Sequence, residues 1–199
     1  MTTLSRLWPE RLALIGVKYV VARDIPLSPL LALPAVFRWK GYSIYEIEAP
    51  NTVGWSVRTI VGAPTLTDEL RAMRDTAFDP RHTAVVSAQD LGILGTPPWA
   101  PLATSSVTLR GQSLRFTARS AGRRTLAVLP FKFSRCWRPE WRTGPGQIVR
   151  VDVGLLAVAF DEATDVQLTW SAGYGHRAEC LRRDADLMPQ VKTAAAEVE

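Results

Sequence analysis

A stretch of strict two-residue alternation constrains this chain more than any other feature. Over residues 107–119, Val107, Leu109, Leu114, Phe116 and Ala118 alternate with Thr108, Arg110, Arg115, Thr117 and Arg119, and Gly111-Gln112 interrupts the series. Successive side chains of a strand point to opposite faces, so the pattern demands a hairpin with one apolar and one basic face. Gly122 starts a second turn into a strand over 125–133, and a loop rich in Trp and Arg follows. Three more apolar runs, at 148–153, 155–160 and 166–170, complete the set. Short strands joined by Gly-containing turns, with no helix among them, predict a mainly β chain whose 105–181 region is an antiparallel β-sandwich, jelly-roll or immunoglobulin-like.

Upstream the texture is mixed. Residues 1–91 read as a small α+β subdomain. A helix is expected over 4–14 and a strand over 16–22, followed by a loop broken by Pro26, Pro29 and Pro34. Strands at 37–39 and 42–47 flank Gly41, with Tyr42, Ile44 and Glu46 on one face and Ser43, Tyr45 and Ile47 on the other. Together they suggest a small sheet packed on a helix. A strand over 53–61, a helix over 67–74 capped by Thr67, and a strand over 83–86 come next. Gly92, Gly95, Pro97, Pro98 and Pro101 crowd into residues 92–104, which read as a linker, and residues 182–199 read as a flexible tail.

Composition narrows the partners. The chain has 199 residues, 47% of them hydrophobic and 22% charged, which is a globular balance with enough material for a core. The net charge of +5 comes from scattered arginines rather than a basic stripe interleaved with aromatics, so nucleic acid is not an expected partner. No run of about 18 apolar residues is present to cross a bilayer. The opening Met1-Thr-Thr-Leu-Ser-Arg6, followed by Trp8-Pro9, lacks the layout of a signal peptide. A complete chain would therefore be cytoplasmic, whereas a piece of a longer membrane protein would lie outside the cytoplasm.

Catalytic signatures are lacking: no GxSxG, HExxH, P-loop or GxGxxG pattern occurs. His82 and His176 are the two histidines; the first follows a turn and reads as a surface or capping residue. Asp68-Glu69 and Asp161-Glu162 are neighbours in turns or caps, so their carboxylates point apart and read as solvated. The expectation is a chain without catalytic residues, metal or cofactor. Cys136 and Cys180 lack metal or redox spacing, which leaves two readings: buried free thiols, or a disulfide joining two strand ends in an oxidising compartment.

One constellation carries binding chemistry. In Arg135-Cys-Trp-Arg-Pro-Glu-Trp-Arg142, Trp137 and Trp141 stand four apart in an expected loop, with Arg138 and Arg142 beside them. Indole faces stack on sugar rings, and guanidinium forks hydrogen-bond hydroxyls and phosphates. Trp170, Tyr174 and His176 extend this ligand-binding set. The competing reading has one of these tryptophans plugging the end of the core while the arginines stay in water.

The order of these pieces also resembles a known family. Leu14-Ile-Gly-Val-Lys-Tyr-Val-Val21, Tyr42-Ser-Ile-Tyr-Glu46 and Phe78-Asp-Pro-Arg81 before Thr83-Ala-Val-Val86 are similar to the C-terminal soluble region of bacterial YfhO-like membrane proteins. These are polytopic proteins related to the GT-C class of glycosyltransferases. The likeness covers roughly residues 12–175, although Arg138-Pro-Glu-Trp141 stands where the family usually has Tyr-Pro-Gly-Trp. It implies an extracytoplasmic, non-catalytic domain of a membrane glycosyltransferase, with a glycan or lipid-linked sugar and the transmembrane part of the same parent as partners. Two rivals stand beside it: a purely structural interaction domain, and a stand-alone enzyme.

Overall fold

Strands dominate the computed structural model of the chain, which describes residues 9–25, 27, 31–95, 98–171 and 178–198. The chain divides into two units, Met1–Thr52 and Val53–Glu199. The division therefore falls well before the Pro/Gly-rich residues 92–104, where the sequence places a linker. Residues after Thr52 are tied into the larger unit by β-pairing and by the hydrogen bond from Asp152 N–H to Val85 C=O, 2.8 Å.

The first unit holds helix α1 (Pro9–Leu14) and strands β1 (Tyr19–Arg23), β2 (Phe37–Trp39) and β3 (Tyr42–Glu46). The strands form an antiparallel sheet in the order β1-β3-β2. Tyr45 is buried with Leu27 and Leu31, and Leu12 of α1 packs on this cluster. The Tyr45 hydroxyl accepts the Leu27 N–H at 3.0 Å, which satisfies its polar tip in the interior. Buried Asn51 closes the unit by donating to the Ala13 and Leu14 carbonyls at the end of α1.

The second unit begins with β4 (Trp55–Val57) and β5 (Thr59–Ala63). The single strand expected over 53–61 is thus two strands that join different sheets. Helix α2 (Leu66–Arg74) is capped by Thr65 rather than Thr67, with the Thr65 hydroxyl accepting the Asp68 N–H at 3.1 Å. β6 (Thr83–Ser87) pairs in parallel with β5, and α3 (Ala88–Leu94) follows, ending at Gly95 with φ +69°. The long strands come next: β7 (Leu102–Arg110), β8 (Ser113–Lys132), β9 (Trp137–Thr143), β10 (Gly146–Val151) and β11 (Leu155–Trp170).

These strands and β4 build one six-stranded antiparallel sheet rather than the two sheets of a sandwich. β8 and β11 pair along nearly their full length, but the register breaks between Asp161 and Ala163. There Asp161 faces Arg124 and Ala163 faces Arg119, so the turn expected at Gly122 is a corner inside a continuous strand. The corner is held by Ser120, whose hydroxyl accepts from Thr125 Oγ1 at 2.6 Å and from Gly122 N–H at 3.1 Å. Before the corner β8 pairs with β7; after it, β8 pairs with β4. Phe116 lies opposite Val166, a position about 20 Å along a straight β11 from Phe160. Yet the Phe116 and Phe160 rings meet edge to face with centroids 6.2 Å apart. The sheet must therefore double back at the corner, so that its two halves share one core. Leu114, Leu129, Leu156, Val158 and Leu168 complete that core.

The second half is covered on both faces. Leu126-Ala-Val-Leu129 and Leu156-Ala-Val-Ala-Phe160 are buried residue by residue, which explains why these runs are apolar without alternation. β6 and α3 pack along β10. The tail is ordered as helices α4 (Ala178–Ala185) and α5 (Leu187–Val198), with α5 packed on α2 and the Thr67 hydroxyl donating to Glu197 at 2.8 Å.

Candidate ligand-binding face

The outward face of the first half is built from four strands in the order β7-β8-β11-β9. Register decides which side chains share it. Thr108, Arg115, Gln167 and Glu140 stand in one row across the sheet, and Arg110, Ser113, Thr169 and Arg138 in the next. Alternation sends Val107, Phe116, Val166 and Trp141 to the opposite side, against the core. A register shift between Asp165 and Val166 leaves Arg142 as an extra residue on β9, and its guanidinium donates to Gln167 Oε1 at 2.8 Å.

The result is a polar surface with a groove of about 280 Å³ lined by Thr108, Arg110, Ser113, Arg115, Arg142 and Gln167. Arg115 grips Asp165 through two hydrogen bonds, Nε to Oδ1 at 2.9 Å and Nη2 to Oδ2 at 2.7 Å. Those bonds hold the Asp165 carboxyl below its ordinary range, outweighing the opposing effect of desolvation. Arg110, Arg119 and Arg138 form no ion pair among the described residues. The face thus offers guanidinium forks beside hydroxyl and amide groups, which is the chemistry that receives phosphates, carboxylates and sugar hydroxyls.

Of the residues singled out by the sequence, Arg138 and Arg142 lie on this face. Their tryptophan neighbours do not, because residues 137–143 form an edge strand rather than a loop. Pro139 is tolerated there, since an edge strand leaves one row of N–H positions unpaired. Trp137 and Trp141, half-buried, pack on the shared core. The Trp137 indole N–H donates to Lys132 C=O at 3.1 Å, and a Cβ on Gly146 would come within 2.7 Å of the Trp141 ring. Trp170 lies opposite Trp137 and donates to Ser134 Oγ at 3.3 Å. The three indoles thus lie at the core and its rim. Tyr174 and His176 lie outside the described residues.

Cys136 and Cys180 form a disulfide with Cα atoms 5.3 Å apart. Its second end sits in α4 and not at a strand end, so it fastens the C-terminal helices to the start of β9. Ser134 and Arg135 reinforce the junction by hydrogen-bonding Asp184. The bond is consistent with an oxidising, extracytoplasmic compartment. Among the described residues no helix is long and apolar enough to cross a membrane, and no three His, Cys, Asp or Glu side chains converge as a metal site.

The sequence misses a buried charged network. Glu69, expected to be solvated, is buried on α2 and forms a bidentate pair with Arg150 of β10, at 2.7 and 3.1 Å. Burial pushes its carboxyl up even so, against the pull of Arg150. Asp152, in the β10–β11 turn, accepts the Val85 N–H through Oδ1 at 2.8 Å, while Oδ2 has no hydrogen-bond partner among the described residues. Burial pushes this carboxyl up to about 7. The turn runs through left-handed backbone at Asp152 (φ +49°) and Val153 (φ +69°), which a β-branched residue rarely adopts. Arg150 secures it by donating to Val153 C=O at 2.7 Å. Elsewhere, His82 Nδ1 lies 2.7 Å from Asp79 Oδ2, at the edge of a cleft where the Arg81 guanidinium stands 5.0 Å from the Trp55 ring centroid.

No family model matches this chain, and neither curated proteins nor solved structures show a significant match.

Proposed function

We propose that this chain is a non-catalytic, extracytoplasmic binding domain that holds an acidic glycan or a lipid-linked sugar phosphate on its arginine-bearing sheet face. The observation that carries the reading is the groove between Arg110, Arg115 and Arg142, where Thr108, Ser113 and Gln167 add neutral hydrogen-bonding groups. Arginines alone would take any anion; the mixture with hydroxyl and amide groups suits a ligand that is both charged and hydroxylated. The Cys136–Cys180 bond supports the compartment. The resemblance to YfhO-like proteins supplies a parent, a membrane glycosyltransferase of the GT-C type, beside which such a domain would position the glycan.

Isothermal titration of the chain with acidic and neutral bacterial oligosaccharides tests this. Saturable binding of the acidic members is expected, weakening with salt, and falling at least about tenfold in an Arg110→Ala, Arg142→Ala double variant. Equal affinity in the variant, or no binding across the panel, sinks the assignment. Turnover of any of these sugars would overturn its non-catalytic part.

A further inference from the structure

The three-stranded sheet of the first unit carries a second surface of different chemistry. Register places Tyr19 and Val21 of β1, Phe37 and Trp39 of β2, and Tyr42 and Ile44 of β3 on one face. The opposite face holds Tyr45 and the unit's small core. An outward face is ordinarily polar, but here Tyr19, Val21, Phe37 and Trp39 are each more than half exposed, and Tyr42 is 39% exposed. Single exposed apolar side chains are common, whereas a contiguous set marks an interaction surface. Cations accompany the rings: Lys18 Nζ lies 5.2 Å from the Tyr19 centroid, Arg23 5.6 Å from that of Tyr42, and Lys40 4.6 Å from that of Trp39. Two of the chain's four lysines are thus gathered here, and neither pairs with a carboxylate among the described residues. Arg23 shares Asp24 at 3.3 Å, and Glu46 stands opposite Tyr19 at the end of its row.

We propose that this face docks on an anionic phospholipid surface. Trp and Tyr join an apolar ring to a polar tip, and they settle where hydrocarbon meets headgroup. Val21, Phe37 and Ile44 supply the apolar area between them. Lysine stems run along such a surface and deliver their ammonium groups to lipid phosphates, so Lys18 and Lys40 select for negative charge. A second copy of the chain fits less well, since a two-fold contact through this face would bring the same cations toward each other. The inference stands apart from the sugar-binding reading, because it concerns a different sheet and different residues.

Co-sedimentation of the full chain with phosphatidylcholine vesicles, with and without phosphatidylglycerol, tests the proposal. The chain is expected to sediment with the anionic vesicles and to be released by salt. A Phe37→Ser, Trp39→Ser double variant should lose that binding, and a Lys18→Ala, Lys40→Ala variant should weaken it about tenfold or more. Circular dichroism will show both variants folded, since none of these side chains is core, and oligosaccharide binding should match that of the native chain. A native chain that stays in solution with both kinds of vesicle overturns the proposal, as does a double variant that sediments like the native chain. Analytical ultracentrifugation without lipid should give a monomer. A dimer abolished by Phe37→Ser, Trp39→Ser would assign the face to a second copy of the chain instead.

Discussion

The small sheet and the first half of the large sheet each leave one face to solvent, and the two faces are made by opposite rules. On the four-strand half of the large sheet, the outward row reads Thr108, Arg115, Gln167, Glu140, and the large apolar residues all turn inward. On the small sheet, Val21, Ile44 and Phe37 occupy the equivalent outward row, while the inward face holds Tyr45. The polar face asks little of folding, since exposed polar groups can keep their hydration. Its arginines are there to be used or merely to keep the sheet soluble. The aromatic face leaves apolar surface in water, a standing cost that only an occupant removes. Exposure of the wrong chemistry is therefore the stronger signal of a partner, and exposure of the right chemistry needs a groove or a register coincidence to say anything.

Outward charges should be independent of stability, and they contrast most sharply with the inward pair. Arg150→Met should cost about 3–5 kcal/mol in urea denaturation, because it strands buried Glu69 without its partner. Arg115→Met, on the polar face, should leave the denaturation midpoint unchanged, although Arg115 makes equally short bonds to Asp165. A large loss from Arg115→Met would mean the polar face is part of the fold's framework.

Next in size is the effect of Asp152. Its folded carboxyl is raised to about 7 from an ordinary 3.8, so the native state keeps a proton that the unfolded chain has released. Stability must therefore fall as pH rises from about 4 to about 7 and level off above that, by up to roughly 4 kcal/mol. Asp165 and Asp79 are shifted down and act in the opposite sense, contributing stability that is lost only as pH falls below about 4. Unfolding measured from pH 4.5 to 8 should show the decline in the native chain and a flatter profile in Asp152→Asn. Parallel profiles would remove Asp152 as the cause.

Much of this is legible in the sequence, and the failures have physical reasons. Alternation at residues 107–119 places Arg110, Arg115 and Arg119 on one face, and the same rule sets Tyr45 on the opposite face from Tyr42 and Ile44 of β3 without marking which face is inward. The grouping of Arg138 and Arg142 with them is not legible, because only the pairing of β9 with β11 brings them together. Arg138-Pro-Glu140 looks like a chain breaker, since the sequence does not mark an edge strand on which Pro is harmless. The corner at Ser120 reads as a turn between strands for a similar reason: Gly122 signals a bend, not whether pairing resumes beyond it. Residues 92–104 look like a domain boundary on composition, but boundaries follow packing, and pairing joins Trp55 to Val128 far along the chain. The burial of Glu69 leaves no local trace at all. Its partner Arg150 lies 81 residues away, and Asp68 beside it is an ordinary capping residue.

Adjacent residues of β9 allow the two sides of one strand to be weighed directly. Trp137 packs inward and Arg138 points out. Trp137→Ala should cost about 2 kcal/mol, less than for a fully buried indole because this one is only half-buried. Arg138→Ala should stay within about 0.5 kcal/mol of the native chain while weakening the binding of acidic oligosaccharides. If Trp137→Ala were instead neutral for stability and abolished binding, the indole would be the platform that the sequence suggests.

The smallest effect is expected where the exposed chemistry is most unusual. Trp39 is 57% exposed, and its ring is met by Lys40 at 4.6 Å. Trp39→Ser gives up that exposed cation–π contact, worth about 0.5–1 kcal/mol, and little else, because Trp39 stands on the outward face and not among the core residues. The unfolding free energy should therefore fall by no more than about 1 kcal/mol. A loss of several kcal/mol would show instead that Trp39 is an intramolecular contact, and the outward aromatic face would then need no occupant.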